Sequence, residues 1–283
     1  FFKLLKPVVA DIPDGHISAR FGTIRFGTKY KKPYKNVGKN IAGSRPVYGE
    51  MRDGGIAVIG FSTMIKSDEF KNTIIDFAKN ILPKSNVLII DLRGNTGGNS
   101  FYSDLFAEHL CGTWIDSMQT VYVRTNRDAK KFLSAVYPTA SWAKLPESAE
   151  LVVWKTGKNY APDTTKAYMK TIYILTDRQT ASSAEMFLLR MVHHPRVVVV
   201  GDNSAGTEVF GNVGSALLPN SQIKFTIGMN YRVLSQDNFE LNGFTPNIKC
   251  PENTDALDVA LREIANQQIL SHAMNSNSKT LRR

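Results

Sequence analysis

Three short stretches carry side chains and glycines of the kind that do chemistry. In Thr180-Ala181-Ser182-Ser183-Ala184-Glu185, two hydroxyls open an apolar helical pattern, with a carboxylate three residues after Ser182. A serine there can cap the helix, and Ser182 with Glu185 fits a capping box. The same place suits a nucleophile, because the positive end of a helix and nearby N–H groups favour developing negative charge. Asp91-Leu92-Arg93-Gly94-Asn95-Thr96-Gly97-Gly98-Asn99 is rich in glycine. Such a turn bends tightly and can aim free N–H groups at a phosphate or an oxyanion. It lacks the Gly-Lys-Ser/Thr of a nucleotide P-loop and the G-x-G-x-x-G order of a dinucleotide turn. A third stretch, Glu240-Leu241-Asn242-Gly243-Phe244-Thr245-Pro246-Asn247, is a polar turn that holds one carboxylate.

Each stretch follows a predicted strand, at residues 87–90, 171–176 and 230–234. In open α/β sheets, sites gather at the carboxyl ends of strands. The rest of the pattern supports that setting. Further strands are predicted at 56–61, 120–124 and 196–201. Helices are predicted at 69–81, closed by Pro83, and at 103–110, 182–193 and 255–267. A hairpin is predicted from 214–218 to 224–228, across Pro219-Asn220-Ser221. The rhythm predicts an α/β fold with a largely parallel core sheet. Pro7, Pro13, Gly15, Gly22, Gly27 and Pro33 make the beginning of the chain loop-rich. The expected organisation is an N-terminal segment 1–54, a core 55–270 with an insertion at about 126–168, and a tail 271–283.

Composition narrows the classes. Of 283 residues, 42% are hydrophobic and 21% charged, which argues against a disordered chain or a disulfide-stapled miniprotein. No run approaches the ~20 apolar residues of a membrane span, so no stable membrane insertion is expected. Lys and Arg exceed Asp and Glu by 10, which admits nucleic acid, an anionic surface or acidic substrates as partners. Several lysines crowd one loop-like stretch around 29–39, and no zinc-finger or RNA-binding signature accompanies them, so no nucleic acid is expected. Cys111 and Cys250 lack metal-ligand spacing. Two buried thiols or one long-range disulfide both fit. The chain starts at Phe1, so a removed or processed leading piece is expected, and the lack of a signal peptide carries no information.

The three stretches also carry a resemblance. Asp91-x-Arg93-x-Asn95-x-Gly97-Gly98 is similar to the D-x-R-x-N-x-G-G motif of the S41 family of serine peptidases, which includes the C-terminal processing proteases and the tricorn core protease. Thr180 to Glu185 resembles that family's nucleophile motif. Gly201-Asp202-Asn203-Ser204-Ala205-Gly206 resembles its G-x-x-x-x-G turn. Glu240-x-x-Gly243-x-x-Pro246-Asn247 resembles its E-x-x-G-x-x-P-D element, with Asn247 in place of aspartate. The four elements stand in family order over roughly residues 55–262. The resemblance implies the spiral α/β core shared with ClpP and crotonase proteins, a peptide or protein substrate, and no metal or organic cofactor. Oligomeric state is left open. An extracytoplasmic location is expected, because the family is commonly exported in bacteria.

Two catalytic arrangements occur in that family. The processing proteases pair serine with a lysine just after the G-x-x-x-x-G turn, but this chain has Thr207 and then Glu208 there. Lys224 lies beyond, in a predicted strand. Thr207 is given no role. Tricorn-like members use a histidine from ahead of the core, and Asp14-Gly15-His16-Ile17-Ser18 resembles their Asp-Gly-His-Thr segment. The resemblance therefore implies Ser182 as nucleophile, His16 as general base and Glu240 as the group that orients it, directly or through a hydroxyl such as Ser18. His109, His193, His194 and His272 are weaker candidates. The implied oxyanion hole is the N–H of Gly97 or Gly98 with that of Ser183. Asp91, Arg93 and Asn95 are expected to hold their turn rather than react.

Alternatives stay open. A non-catalytic relative could use the cleft to bind a peptide or an apolar ligand. A crotonase-like enzyme could present the oxyanion hole to a thioester. Many S41 members carry a PDZ domain, but only about 40 residues separate His16 from the first core strand, fewer than the ~100 of a usual packed domain. The aromatic-rich residues 132–168 could line a cleft or cover the sheet.

Overall fold

The apolar run at residues 87–90 becomes a central strand because both its faces are covered. The computed structural model describes residues 2–28, 38–136 and 141–280. Its first elements are α1 (Phe2–Asp11), β1 (Ser18–Phe21), β2 (Ile24–Gly27), β3 (Val47–Arg52), β4 (Ile56–Phe61), α2 (Asp68–Asp76) and β5 (Val87–Asp91). Next come α3 (Phe101–Cys111), β6 (Thr120–Arg124), α4 (Arg127–Val136), β7 (Leu151–Thr156), β8 (Thr171–Thr176), α5 (Ser183–Met191) and β9 (Val197–Gly201). The last are β10 (Phe210–Gly211), β11 (Gly214–Leu217), β12 (Lys224–Ile227), β13 (Asn230–Val233), β14 (Ile248–Lys249) and α6 (Ala256–Thr280).

The fold is α/β. Its main sheet has the order β14-β9-β8-β5-β4-β3, and only β3 runs antiparallel to its neighbour. Side chains alternate across this sheet. Ala57, Ile59, Phe61, Leu88, Ile90, Ile172 and Ile174 pack with Phe70, Phe106 and Phe187 from α2, α3 and α5. Val58, Ile89, Tyr173 and Leu175 face α6 through Ala256, Ala260 and Ile264. Parallel strands need this double cover. Each large side chain buried there contributes about 1.5–3 kcal/mol. Cys111 belongs to the first cluster and Cys250 packs against the second, so the two free thiols sit on opposite faces of the sheet.

Two smaller four-stranded sheets complete the structure, β10-β13-β6-β7 and β11-β12-β1-β2. The second joins the two ends of the sequence pattern, because β1 pairs with β12 and sets Ser18 opposite Thr226. α1 lies on this sheet through Val9, which packs with Ile17, Ala19 and Ile223. The expected loop-rich start therefore contains a helix, and Pro7 sits inside it. Pro7 gives up one backbone donor, and burial of Val9 and Ala10 holds the helix in place. The helix predicted to reach residue 81 gives way after Asp76 to a wider π turn, followed by a 3-10 turn at Pro83. Residues 126–168 hold α4 and β7, and β7 extends the sheet through β6. No helix among the described residues is long and apolar enough to cross a membrane.

Candidate active site

Ser182 stands at the carboxyl end of β8, where the chain turns into α5. Its φ of 52° and ψ of −122° lie where non-glycine residues rarely go, so neighbouring groups must hold it. Ala181 N donates to Asn95 O at 2.9 Å. Ser182 N donates to Thr207 Oγ1 at 2.8 Å and to Glu185 Oε2 at 3.1 Å. Ser183 Oγ donates to Gly98 O at 2.7 Å. Gly97, with φ of +92°, lies so close that a Cβ there would meet Ser182 Cβ and Ser183 N at 2.8 Å.

Glu185 is fully buried and joins this loop to the Gly201–Gly206 turn. Its Oε1 accepts from Ser204 Oγ and Gly206 N, and its Oε2 from Thr207 N and Thr207 Oγ1. Burial pushes the carboxyl pKa up, and these donors pull it back. Thr207 is thus a structural partner of Ser182, a role that its residue type alone does not announce. Its hydroxyl accepts from Ser182 N and donates to Glu185.

The resemblance-derived turn residues lie beneath. Asp91 accepts from Arg93 N, Nε and Nη2 and from Ile41 N. Arg93 also reaches Asp255 and Lys39 O. Both Asp91 and Arg93 are buried. Asn95 donates through Nδ2 to Phe61 O at 3.0 Å and accepts from Gly97 N at 2.8 Å. The Gly97 N–H is therefore occupied. No hydrogen bond among the described residues engages Gly98 N or Ser183 N. Asn247, at the position of the family aspartate, accepts from Val199 N at 2.8 Å and so braces β9.

His16 arrives on the turn that leads into β1. Asp14 shapes that turn, with Oδ1 accepting from His16 N at 2.8 Å and Oδ2 from Gly228 N at 3.2 Å. Thr226 Oγ1 donates to His16 O at 2.9 Å. His16 Nε2 lies 3.3 Å from Ser182 Oγ across 166 residues of sequence. On the other side of the ring, Nδ1 is buried without a hydrogen-bond partner, 3.8 Å from Asp14 Oδ1. Burial lowers the imidazole pKa. The Asp14 charge and the Phe210 carbonyl oppose that shift, and the Arg232 charge adds to it.

Glu240 engages the backbone of the residue before His16. Its Oε1 accepts from Gly15 N at 2.7 Å and its Oε2 from Val209 N at 3.1 Å. Burial pushes its carboxyl up to about 8, against the pull of those two N–H groups. Ser18 Oγ is 2.7 Å from Thr226 Oγ1 and has no bond to the imidazole or to Glu240. The carboxylate that faces Nδ1 is Asp14, a residue of the Asp-Gly-His stretch to which the sequence assigned no function.

A cleft of about 550 Å³ opens beside the pair, and its walls include His16, Ser182, Ser183, Gly98, Lys66 and Arg232. His109, His193 and His194 do not line it. Neither do the described aromatic residues of 132–168. Trp142 is buried beside Val123, and Tyr168 packs against the main core. Phe132 and Tyr137 lie outside the described side chains. Among the described residues, no group of three or more His, Cys, Asp or Glu is placed to hold a metal ion.

A model of peptidase family S41 matches residues 55–250. Among solved structures, a candidate peptidase from Parabacteroides merdae ATCC 43184 superposes with a TM-score of 0.62 at 18% identity. That match covers 92% of this chain and 81% of the other. A lipoprotein from Streptococcus agalactiae gives 0.49 at 18% identity, with coverage of 79% and 71%. Mature CPAF gives 0.47 at 19% identity, and this chain spans about half of its length, 51%. At these identities the likeness is one of fold.

Proposed function

The chain belongs to peptidase family S41, and from that premise we propose that it hydrolyses peptide bonds with Ser182 as nucleophile and His16 as general base. The observation that carries this is the 3.3 Å separation of His16 Nε2 from Ser182 Oγ. It suits a base and nucleophile before substrate tightens the site. The mechanism is of the tricorn-like, histidine-dependent kind. Thr207 occupies the position of the alternative lysine.

In the proposed first step, Ser182 Oγ attacks the substrate carbonyl carbon and its proton passes to His16 Nε2. Lowering of the imidazole pKa favours the neutral ring, and the tautomer with its proton on Nδ1, on the Asp14 side, leaves Nε2 ready to accept. The tetrahedral oxyanion is received by Gly98 N and Ser183 N. As the intermediate collapses, His16 returns the proton to the leaving amine, and water then hydrolyses the acyl-enzyme by the same route. Asp14 is the acid we assign to Nδ1. A small ring rotation closes the 3.8 Å gap and gives the imidazolium a partner. Glu240 contributes by fixing the loop at Gly15, so its orienting effect on His16 passes through the backbone.

Intact-mass measurement after exposure to a fluorophosphonate tests this. One adduct is expected on the wild type and none on Ser182→Ala. His16→Ala should label about a thousandfold more slowly or worse, because members of such a unit fail together. Absence of an adduct on folded wild-type protein would refute an activated Ser182.

A further inference from the structure

Two cations line the cleft and touch no reacting group in the steps above. Arg232 projects from β13 and is only 7% exposed. Its guanidinium lies against Gly211, where a Cβ would sit 2.4–2.6 Å from its Nη2, Cζ and Nη1 atoms. Nη1 donates to Glu208, Nε is buried without a partner, and no hydrogen bond among the described residues engages Nη2. Lys66 stands on the same cleft with its ammonium 4.4 Å from the Phe101 ring centroid. Among the described residues, no carboxylate forms an ion pair with it.

Of the acidic groups nearby, Glu208 already pairs with Arg232 through Nη1, and Asp104 is engaged elsewhere. Asp104 lines the cleft too, but it takes Arg190 Nε at 3.2 Å and Ser100 Oγ at 2.8 Å. Glu208 is fully buried behind Arg232. Burial and the charges of Glu185, Asp104 and Glu240 push its carboxyl up to about 8 despite the guanidinium. Glu208 occupies one arm of the guanidinium; buried donors left unused are costly, and the rest of the planar fork suits a second carboxylate.

We infer that the cleft selects peptides carrying a carboxylate beside the scissile bond, with Arg232 and Lys66 as the specificity-determining anchors. This rests on the peptidase assignment of the same site. The carboxylate can belong to an Asp or Glu side chain or to a free C-terminus, and the chemistry at the guanidinium is the same.

Protection of Ser182 from a fluorophosphonate measures occupancy of the cleft directly. Three tetrapeptide pools are compared as competitors: acidic side chains with amidated ends, Asn and Gln counterparts with free C-termini, and the same neutral counterparts amidated. One carboxylate pool should slow labelling at about ten- to a hundredfold lower concentration than the neutral amidated pool, as expected for charge-assisted hydrogen bonds. Protection by the first pool identifies the side chain, and protection by the second the terminus. The advantage should vanish in Arg232→Gln and shrink in Lys66→Gln, an exposed position where the fold is not at risk. Equal protection by all three pools, or an advantage undiminished in both variants, would overturn the selectivity and leave the peptidase assignment standing. A wild type that takes no adduct at all overturns both.

Discussion

Glu240 grips the backbone of Gly15, the residue before His16, with Oε1 accepting from Gly15 N at 2.7 Å. Its other oxygen holds Val209 N at 3.1 Å. One carboxyl thus ties the turn that carries His16 to the segment that follows Thr207. Asp14, two residues before His16, is the carboxylate that looks at Nδ1. Both acids thus fix the loop, but only Asp14 also places a charge next to the ring, a division of labour at the imidazole alone.

That division makes Asp14→Asn and Glu240→Gln behave differently. Asp14→Asn removes the charge that would stabilise imidazolium, and kcat/KM should fall by about a thousandfold. Glu240→Gln keeps one acceptor oxygen and sets an amide NH2 against the other N–H. It should lower stability by about 1–3 kcal/mol with a much smaller effect on rate. Steady-state kinetics alongside urea unfolding separates the two. Equal rate losses with unchanged stability would return Glu240 to the imidazole.

The activity profile on the acid side reports on His16. The base works only when neutral, and burial lowers its pKa beneath the ordinary value of about 6.5. Activity should therefore persist as pH falls below 6.5 and be lost only further down. Arg232 contributes to the lowering, so Arg232→Gln should move the acid limb of kcat/KM upward. Asp14 opposes the lowering, so Asp14→Asn should move the residual activity's limb downward. Limbs that shift in the same direction in both variants would contradict this electrostatic picture.

Thr207 takes over the lysine position with a different task. Thr207→Val keeps the shape but removes an acceptor from Ser182 N and a donor to Glu185. A loss of about 1–2 kcal/mol is expected from thermal or chemical unfolding, with slower fluorophosphonate labelling because Ser182 relaxes from its positive φ. Thr207→Ser retains the hydroxyl and should restore both. A Val variant equal to wild type in both measurements would leave Ser182 held by Glu185 alone.

Much of this was legible in residue order. The apolar runs at 56–61, 87–90 and 171–176 form adjacent parallel strands, and the motif loops fall at strand ends because side-chain alternation and glycine content specify both locally. What sequence could not specify is register between distant segments. His16 meets Ser182 because Ser18 pairs with Thr226, and nothing in either segment encodes that pairing by itself. The same limit hid the roles of Asp14 and Thr207. Each meets groups supplied from elsewhere in the chain or beside it, and a side chain's type does not say which groups it will meet. Gly97 illustrates a subtler case. The family resemblance implies Gly97 or Gly98 as a donor to an oxyanion, whereas the Gly97 N–H is spent on Asn95 and its missing Cβ is what counts.

Gly97→Ala tests that last point. The position has φ of +92°, which L residues avoid, and an added methyl would meet Ala181 O, Ser182 Cβ and Ser183 N at 2.8 Å. Those atoms belong to backbone or to the stem of the nucleophile, so none can swing aside as a long side chain would. Relief must come from moving the turn away from α5, and that separates Gly98 N from Ser183 N and pulls Ser182 Oγ from His16. Loss of one well-placed oxyanion donor alone costs about a hundred- to a thousandfold in kcat, so labelling and turnover should fall by at least that much. The backbone strain should appear as a loss of about 1–3 kcal/mol in stability. Asn95→Ala supplies the contrast, because it frees Gly97 N but leaves the space empty. If Gly97→Ala retained near-normal labelling, the close approach of this turn to Ser182 would not govern the nucleophile's geometry.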